Sequence, residues 1–177
     1  WSYLLEVGYS IKHDWKPRLS AFYGFVSGDR NPNDNTDNRF ERFFGFARPW
    51  SPGDYLIMEN VKAPKLVFEF SPHKDVSIDG GYSWFWLAST TDRFNNLMNV
   101  STPTVFNRDS TGQSGDFIGQ SINARINYKL APLIDVTIGY SRFMNGGFVK
   151  NRQLAAFGEA DGGSNFFYTE ISVRAFK

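Results

Sequence analysis

Residues 116–140 have the sequence DFIGQSINARINYKLAPLIDVTIGY, in which apolar and polar residues alternate with a period of two. In the first half, one side carries Ile118, Ile122, Ala124, Ile126 and Tyr128. In the second half, the corresponding side carries Ile134, Val136, Ile138 and Tyr140. Such alternation is typical of β-strands with one apolar face, and the link 129–133, which contains Pro132, predicts a turn between two antiparallel strands.

The same alternation recurs in five further segments, at 1–12, 16–25, 61–71, 76–88 and 165–176. Each segment is about 11 residues long, close to the ~9–11 residues with which a tilted strand crosses a bilayer. Strands of soluble proteins more often have ~5–6 residues. The chain is therefore predicted to be all-β, with seven strands that span a membrane.

The links between these segments alternate in length. Short links lie at His13–Trp15, Pro72–Asp75 and Lys129–Leu133, and long links lie at Ser27–Asn60, Ser89–Gly115 and Asn145–Ser164. The long links are rich in Asn, Asp, Gly, Ser and Thr, which is typical of solvated loops. Short turns on one rim and long loops on the other predict a transmembrane antiparallel up-and-down β-barrel, with long extracellular loops and short periplasmic turns.

Aromatic residues gather near both ends of the predicted strands. Those near the long links are Trp1, Tyr3, Phe25, Trp84, Trp86 and Tyr140, and those near the short links are Trp15, Phe70 and Tyr128. Amphipathic rings settle at the level of the lipid headgroups. The placement therefore predicts two aromatic belts, one at each membrane surface.

The composition excludes several classes of protein. The 177 residues include no Cys, which excludes disulfide scaffolds, thiol catalysis and Cys-ligated zinc. Lys and Arg number 19 against 18 Asp and Glu, without the basic excess of a nucleic-acid-binding protein. The two histidines, His13 and His73, lie in predicted turns, isolated from any serine that they could activate. We therefore expect no enzyme, no cofactor and no nucleic-acid partner.

Seven strands are an odd number, whereas bacterial single-chain barrels have an even number and leave no strand edge unpaired. The chain also opens on Trp1, inside an alternating segment, rather than on Met. We therefore expect residues 1–177 to form a single outer-membrane β-barrel domain that is incomplete at its N-terminus, as the C-terminal strands of a larger barrel. The alternative is an eighth strand within 40–50, which contains Phe40, Phe43, Phe44 and Phe46.

The polar face of the predicted strands would line the lumen, and its charged residues are candidates for binding a solute. The basic ones are Lys16, Arg18, Lys65, Arg125 and Arg174, and the acidic ones are Glu6, Glu69, Asp79, Asp135 and Glu170. Fixed cations in a pore replace part of the hydration of an anion, and Arg can bind a carboxylate through two parallel hydrogen bonds. Arg18, Arg125 and Arg174 are therefore the main candidates, with Lys16, Lys65 and Glu170 beside them. Salt bridges that brace neighbouring strands are the alternative.

Charged residues also lie at the bases of the long links. Arg93 and Arg108, with Asp92 and Asp109, would either fold inward as a constriction or pin the loops to the rim of the barrel. The sequence therefore leaves the two roles open.

A third group of polar residues recurs at every second position of the first long link. Its members are Asp29, Asn31, Asn33, Asn35 and Asp37. Their oxygens suit calcium, but Asp34 stands where a calcium loop of the EF-hand type needs Gly. Asx turns in a solvated loop are the favoured interpretation, and no metal is expected.

Several short strings carry a resemblance to a known family. They are Ser27-Gly28-Asp29 with Asn31-Pro32 and Asp34, Phe40-Glu41, Trp86-Leu87-Ala88 with Asp92, Arg108-Asp109 with Thr111-Gly112 and Gly115, Gly139-Tyr140-Ser141 with Phe143, Gly146 and Phe148, and Phe167-Tyr168 with Arg174. In their order and spacing they resemble the C-terminal part of the alginate-export family of outer-membrane porins. The resemblance implies a monomeric barrel whose polar lumen passes a negatively charged polysaccharide or a related anion. The closing residues 174–177 depart from the aromatic end that is usual in such barrels.

These observations lead to one expected function and one alternative. The expected function is a porin-like channel in the outer membrane of a Gram-negative bacterium, for passive passage or export of an anionic, alginate-like polysaccharide or of small anions. The alternative is a non-conducting structural barrel that anchors an outer-membrane assembly. The expected partners are the solute, the lipid bilayer, and periplasmic or other outer-membrane proteins.

Overall fold

The computed structural model describes residues 1–31, 34–41, 52, 55–94 and 107–175. Seven strands in these residues form one antiparallel sheet, in which the strands pair in chain order. They are β1 Ser2–Ser10, β2 Arg18–Val26, β3 Val61–His73, β4 Val76–Leu87, β5 Phe117–Ala131, β6 Ile134–Asn145 and β7 Gly163–Val173. This sheet confirms the predicted all-β, up-and-down architecture.

The register of the strands keeps an apolar face separate from a polar one, because successive side chains of a strand point to opposite faces. On the apolar face, Leu66 lies opposite Ala21 of β2 and Tyr82 of β4, and Tyr82 lies opposite Ile122 of β5. This face is open to its surroundings, since Ile122 keeps 46% of its surface exposed. We call it the outer face, and its composition is that of a barrel surface in contact with lipid.

The other face, which we call the inner face, carries the predicted polar positions. Glu69 of β3 lies opposite Arg18 of β2 and Asp79 of β4, and Asp79 lies opposite Arg125 of β5. Side chains from β1 to β7 line a single groove of about 910 Å³ on this side, so the sheet is concave there. The concave side is the polar one, as the sequence pattern predicts for a lumen.

Aromatic rings mark both ends of the outer face. At the long-loop end, the Phe25 ring lies 4.7 Å from the Trp1 ring and 5.4 Å from the Tyr3 ring, between centroids. At the short-turn end, the Trp15 and Phe70 rings lie 6.1 Å apart. The rings thus occupy the two levels that the sequence predicts for aromatic belts.

Two of the short turns are tighter than predicted. Residues 74–75 alone join β3 to β4, and residues 132–133 alone join β5 to β6. Pro72 therefore belongs to β3 and not to the turn. The pairing of β3 with β4 shifts register next to it, as expected for a proline, which cannot donate a hydrogen bond within the sheet.

The first turn is longer than predicted and contains Lys16. It covers residues 11–17, because β1 ends at Ser10 and β2 begins at Arg18. Lys16 adopts a left-handed conformation with a φ of 48°, which ends the extended backbone. The prediction that Lys16 lies on the second strand is therefore wrong, although the residue remains on the side of the groove.

The third long link contains a helix that the sequence pattern does not predict. This helix, α1, covers Gly147–Phe157 and is followed by Gly158, whose φ is 79°. The Gly158 N–H donates to the Leu154 carbonyl at 3.0 Å, which is how a glycine in the left-handed conformation ends a helix. Among the described residues, no helix is both long and apolar enough to cross a membrane.

Ile118 lies on the opposite face from the one predicted. The alternation assigns it to the outer face, but only 1% of its surface is exposed, and it packs in a buried cluster with Phe85 and Phe143. The pairing of β4 with β5 shifts register at this point, and Phe117 takes the outer position beside Trp86, at 5.3 Å between rings. A β-bulge of this kind adds one residue and reverses the direction of the side chains beyond it.

The inner face is apolar at the long-loop ends of the strands. The cluster buried there consists of Val26, Leu56, Val61, Ala63, Phe85, Leu87, Phe94, Ile118, Phe143, Phe148 and Val149. Leu56 and Phe94 come from the first two long links and Phe148 comes from α1. The prediction that the long links are solvated is therefore wrong for these segments, because their apolar residues are removed from water by packing on the inner face.

The two edges of the sheet are open. Within the described residues, β1 pairs only with β2, and β7 pairs only with β6. Of the predicted alternative eighth strand, Phe43, Phe44 and Phe46 lie outside the described residues, and Phe40 packs against the buried cluster without forming a strand. The assignment of residues 1–177 to one barrel domain that is incomplete at its N-terminus stays a prediction.

Candidate functional site

The groove on the inner face brings together most of the predicted lumen residues. Its lining includes Lys16, Lys65, Glu69, Asp79, Arg125 and Glu170, and we call it the polar groove. Arg18 and Arg174 are not part of this lining in the described portion of the chain. The predicted set thus divides into residues that face the groove and residues that lie beside it.

Arg18 is held by carboxylates of two neighbouring strands. Its Nη2 lies 2.5 Å from Glu6 Oε1 of β1, and its Nη1 lies 3.6 Å from Glu69 Oε2 of β3. The guanidinium covers Gly8, where an added Cβ would lie 2.7 Å from Nη2. Both arms of the guanidinium are therefore engaged across three strands, which supports the bracing alternative for this residue.

Arg125 is engaged on one side only. Its Nε donates to Asp79 Oδ2 at 2.9 Å, and 50% of its side chain is exposed. In the described part of the chain, no residue accepts a hydrogen bond from its two Nη groups. The outer edge of this guanidinium is therefore available to bind a second carboxylate in the groove.

Two predicted cations lie at the short-turn end. Arg174 follows the last residue of β7, is exposed, and pairs with Asp135 at 2.5 Å between Nη2 and Oδ2. Lys16 faces the polar groove from the first turn. Across the described ranges, its ammonium has no acidic partner within 4.0 Å. Both residues thus place positive charge at this rim.

Lys65 and Glu170 face the polar groove from β3 and β7. The stem of Lys65 lies over Gly81, with Cε 3.2 Å from the position of an added Cβ. Glu170 Oε1 accepts a hydrogen bond from Ser172 Oγ at 3.4 Å. Charges of both signs therefore line the groove, and its wall is not uniformly positive.

Neutral polar side chains lie between the charges and were not among the predicted site residues. Ser141 Oγ donates to Asn123 Oδ1 at 2.6 Å, and Thr137 Oγ1 donates to Asn127 Oδ1 at 2.9 Å. These bonds join β6 to β5 and fix the two amides at the floor of the groove. The signal for them in the sequence is the run of polar residues at alternate positions of β5.

Two aromatic residues of β7, Phe166 and Tyr168, also line the polar groove, and neither was among the predicted site residues. Their rings are stacked, with centroids 5.5 Å apart and planes inclined by 27°. The Tyr168 ring covers Gly139 of β6, where an added Cβ would lie 2.2 Å from Cζ. The sequence does carry a signal for them, since both aromatics occupy the polar face of an alternating strand.

A buried carboxylate, Asp92, ties together the first two long links. It accepts hydrogen bonds from the N–H of Asp29 at 2.8 Å and of Arg93 at 2.7 Å, and it pairs with the guanidinium of Arg39. Burial raises the pKa of the Asp92 carboxyl, while the Asp29 N–H and Arg39 act in the opposite direction. Asp92 thus holds the two loops against each other above the buried cluster.

Asn60 makes a second connection between the same two links. It is fully buried, with a left-handed φ of 51°. Its Nδ2 donates to the carbonyls of Ser89 and Arg93, each at 3.0 Å, and its Oδ1 accepts from the Ser89 N–H at 2.7 Å. The amide therefore adds to the backbone hydrogen bond from Ala88 N–H to the Asn60 carbonyl, where the chain enters β3.

Asp109 organises the base of the second long link. Its carboxylate accepts hydrogen bonds from the N–H of Thr111 at 2.9 Å and of Ser114 at 2.7 Å, and from both hydroxyls. Burial alone raises the pKa of this carboxyl, but the four hydrogen bonds outweigh it and hold the pKa well below its usual range. Arg152 of α1 lies 3.9 Å from Asp109 Oδ2, so the carboxylate also attracts the helix.

The two loop arginines of the predicted site contact neighbouring loop segments. Arg93 Nη2 donates to Glu41 Oε1 at 3.0 Å, and Arg108 Nε donates to the Thr91 carbonyl at 2.9 Å. These contacts join the second long link to the first through Arg93, two parts of the second link through Arg108, and the second link to α1 through Asp109. They favour the pinning role over the constriction for Arg93, Arg108 and Asp109.

The acidic residues of the first long link form Asx turns. Asp29, Asp34 and Asp37 each accept a hydrogen bond from the backbone N–H two residues further on, at 3.3, 3.0 and 2.9 Å. These bonds agree with the Asx-turn interpretation. Asn33, a member of the predicted alternative calcium loop, lies outside the described residues.

One comparison with known proteins agrees with this geometry. A family model described as alginate export matches residues 1–162, a range that includes β1 to β6 and α1. No curated protein matches the chain. The match covers most of the chain, and the sheet has the apolar outer face and polar inner face of a membrane barrel. The chain therefore belongs to the alginate export family, a transport family of outer-membrane β-barrel proteins.

Proposed function

We propose that this chain forms the wall of a channel in the outer membrane of a Gram-negative bacterium, through which an anionic, alginate-like polysaccharide or a related small anion passes passively. Two findings support the proposal. The family has a role in polysaccharide export, and the concave side of the sheet is a polar groove of about 910 Å³. A polar concave surface behind an apolar convex one is the arrangement of a water-filled barrel.

The observation that carries the proposal is the environment of Arg125. Its half-exposed side chain lines the polar groove and donates to Asp79 through Nε, and within the described residues neither Nη group donates a hydrogen bond. A fixed cation of this kind replaces part of the hydration of a passing carboxylate. Arg rather than Lys suits the task, because its planar fork matches the two oxygens of a carboxylate.

The acidic neighbours keep this contact weak. Asp79 remains 2.9 Å from Arg125 Nε and competes with any solute carboxylate for the same charge. Conduction requires that a solute bind well enough to enter and weakly enough to leave. The mixed charge of the groove thus fits passage of a polyanion better than its tight retention.

The remaining site residues take supporting roles in this proposal. Lys65 adds positive charge beside the groove, and Lys16 adds it at the short-turn rim. Arg18 and Arg174 brace the wall through their ion pairs, and Glu170 limits the net positive potential. Arg93, Arg108 and Asp109 hold the long loops in place above the groove.

Conductance across planar bilayers tests the proposal. The purified full-length protein should form open channels with a preference for anions, measured as the reversal potential in a salt gradient. Replacement of Arg125 by Ala should lower this preference, because a lumen cation is lost. Arg142→Ala is the matched control. Arg142 lies on the outer face, opposite Ile122, so its replacement removes the same charge from the other side of the wall.

A comparison of the anion preference among these variants tests the role of Arg125. Equal changes in the two variants, or an unchanged preference in Arg125→Ala, would contradict the role of Arg125. Arg18→Ala should change the preference less than Arg125→Ala, because Arg125 lines the polar groove and Arg18 does not.

One observation favours the second candidate, a non-conducting barrel that anchors an outer-membrane assembly. The long loops pack an apolar cluster onto the inner face at one end of the strands, which narrows that end. The absence of any conductance from correctly folded, bilayer-inserted protein would support the anchor and contradict the channel.

A further inference from the structure

The polar groove contains an aromatic surface as well as charges. Phe166 and Tyr168 are alternate residues of β7, and both face the groove. Their rings stack at 5.5 Å. The intervening residue, Phe167, faces the outer side and leaves 69% of its surface exposed. Aromatic rings on the outer face have an evident role in lipid, but the two inner rings stand among polar side chains and have none.

Gly139 determines how the Tyr168 ring lies. The residue is directly opposite Tyr168 in the register, and an added Cβ would meet Cζ, Cε1 and Oη at 2.2, 2.3 and 2.5 Å. Glycine thus lets the ring rest against the backbone of β6. With one side of the ring against the sheet, the other side faces the groove as a fixed apolar surface.

Arg125 stands in the same row across the sheet. It pairs with Gly139, which pairs with Tyr168. Two strand spacings therefore separate Arg125 from Tyr168, or about 10 Å between backbones. Because Gly139 has no side chain, this row of the sheet places no side chain between the guanidinium and the ring. The Asn123 amide, held by Ser141 at 2.6 Å, lies two residues nearer the loops on the same face.

This combination matches one chemical class. A pyranose ring presents C–H groups on its face and hydroxyl groups at its edge. The C–H face packs on the electron-rich face of an aromatic ring, and the edge takes hydrogen bonds from amides. A uronic acid adds a carboxylate at that edge, which a free guanidinium edge binds. A simple inorganic anion would use Arg125 but not the rings.

We propose that Phe166 and Tyr168 form a stacking platform which, with Arg125, makes the polar groove a binding subsite for one uronic acid unit of a polysaccharide. This inference rests on the proposed function and specifies which solute the same groove recognises. It assigns recognition of the sugar ring to β7 and recognition of its charge to β5. Gly139 is the positioning residue, since it touches the ring and not the sugar.

Block of the channel by short oligouronates tests the platform. Oligomers of mannuronate or guluronate are added to single channels of the full-length protein, and the concentration for half block is measured. Tyr168→Ala should raise this concentration about three- to tenfold, as expected for a lost aromatic contact. Tyr168→Phe, which keeps the ring, should restore block. Phe167→Ala removes a ring from the outer face of the same strand and should leave block unchanged.

Gly139→Ala tests the orientation of the ring with both aromatics retained. The new methyl group would push the distal end of Tyr168 away from the sheet. Block by oligouronates should therefore weaken, while block by a flexible polycarboxylate without sugar rings, polyglutamate, should not. Heat-modifiable migration on gels verifies that each variant is folded.

The results distinguish this inference from the proposed function. Equal weakening of oligouronate and polyglutamate block in Tyr168→Ala would overturn the platform and leave the channel standing. If no channel opens, calorimetry in detergent measures oligouronate binding directly. A loss of binding in Tyr168→Ala but not in Phe167→Ala would then support the platform without the channel, and no difference would overturn it.

Discussion

The inner face of the sheet has two regions that differ in chemistry although the same strands build both. Along β4, the inner positions read Ser77, Asp79, Gly81 and Ser83, and then Phe85 and Leu87. The first three belong to the polar, solvent-accessible part, Ser83 is polar but already buried, and the last two are buried beneath the long loops. The period-two alternation continues through the polar part and the buried part of the strand. It therefore predicts which residues lie on the inner face, but not whether water or a loop covers them.

The difference shows how one face can line a water-filled space and anchor loops at the same time. In the polar groove, side chains are held by cross-strand pairs such as Arg125 with Asp79, which contribute little individually because water competes for them. In the buried cluster, Phe85 and Phe148 are fully removed from water. Most of the stability of the inner face should therefore come from the loop end, and most of its selectivity from the groove.

The largest expected effect is on stability at the buried cluster. Phe85→Ala should lower the free energy of unfolding by about 3–5 kcal/mol, because it leaves a cavity among packed side chains. Phe68→Ala removes a phenyl ring from the exposed outer face and should lower the free energy of unfolding by less. Urea unfolding in lipid vesicles measures both, and equal losses would show that the cluster does not stabilise the fold more than the open surface does.

A second stability effect is expected where the first long link leaves the sheet. In Gly28→Ala, the new Cβ would lie 2.0 Å from Asn60 Oδ1, and Asn60 cannot move without breaking its three hydrogen bonds to the second link. We expect a loss of about 1–3 kcal/mol, typical of overpacking. Gly147→Ala is the control, since an added Cβ there meets no atom within 4 Å. Equal unfolding midpoints for the two variants would contradict the Asn60 connection.

A smaller effect, with a defined pH dependence, is expected at Asp109. Its folded-state pKa is lowered, so the unfolded chain binds the proton more readily and stability rises with pH. The contribution is complete above the ordinary carboxyl pKa of about 4 and is lost as the pH falls below it. Asp109→Asn should cost about 1 kcal/mol at pH 7, since it exchanges charge-assisted hydrogen bonds for neutral ones.

The pH dependence of the unfolding free energy tests this prediction. The difference in unfolding free energy between wild type and Asp109→Asn should shrink as the pH falls from 5 towards 2. Asp34→Asn, the same change in an exposed Asx turn, serves as the control and should differ little from wild type. A difference that stays constant with pH would rule out the linkage.

The strands and their faces follow from the sequence because they depend on a local, repeated feature. Alternation places Ile122 outside and Arg125 inside correctly, and neither depends on distant parts of the chain. Ile118 is misplaced because a single inserted residue reverses the face, and the neighbouring Gly119, which adopts a φ of 152°, is a local sign of this insertion. The sequence pattern does not predict helix α1, because its apolar residues do not form a clear stripe along one side of the helix.

Most charged residues of the groove are predictable from the sequence, but their pairing is not, and Phe166 and Tyr168 are missing from the prediction. Arg18 and Arg125 look alike in the sequence, since each stands on a polar face with acids nearby. Their difference arises in the folded sheet. Arg18 lies opposite Glu69 and also reaches over Gly8 to Glu6, whereas in the described residues Arg125 forms one ion pair, with Asp79. The inward folding of the loops is equally non-local, because neither the short apolar run 55–58 nor the isolated Phe94 indicates which part of the sheet it packs against.

The central claim is that the inner face meets water and the outer face meets lipid, and neighbouring residues of β5 test it most directly. The chain has no Cys, so single cysteines can be placed at Asn123 and Ile122, and their reaction with a charged, membrane-impermeant thiol reagent can be measured in intact outer membranes. We expect fast labelling of Asn123→Cys and no labelling of Ile122→Cys. Labelling of Ile122→Cys with protection of Asn123→Cys would contradict it.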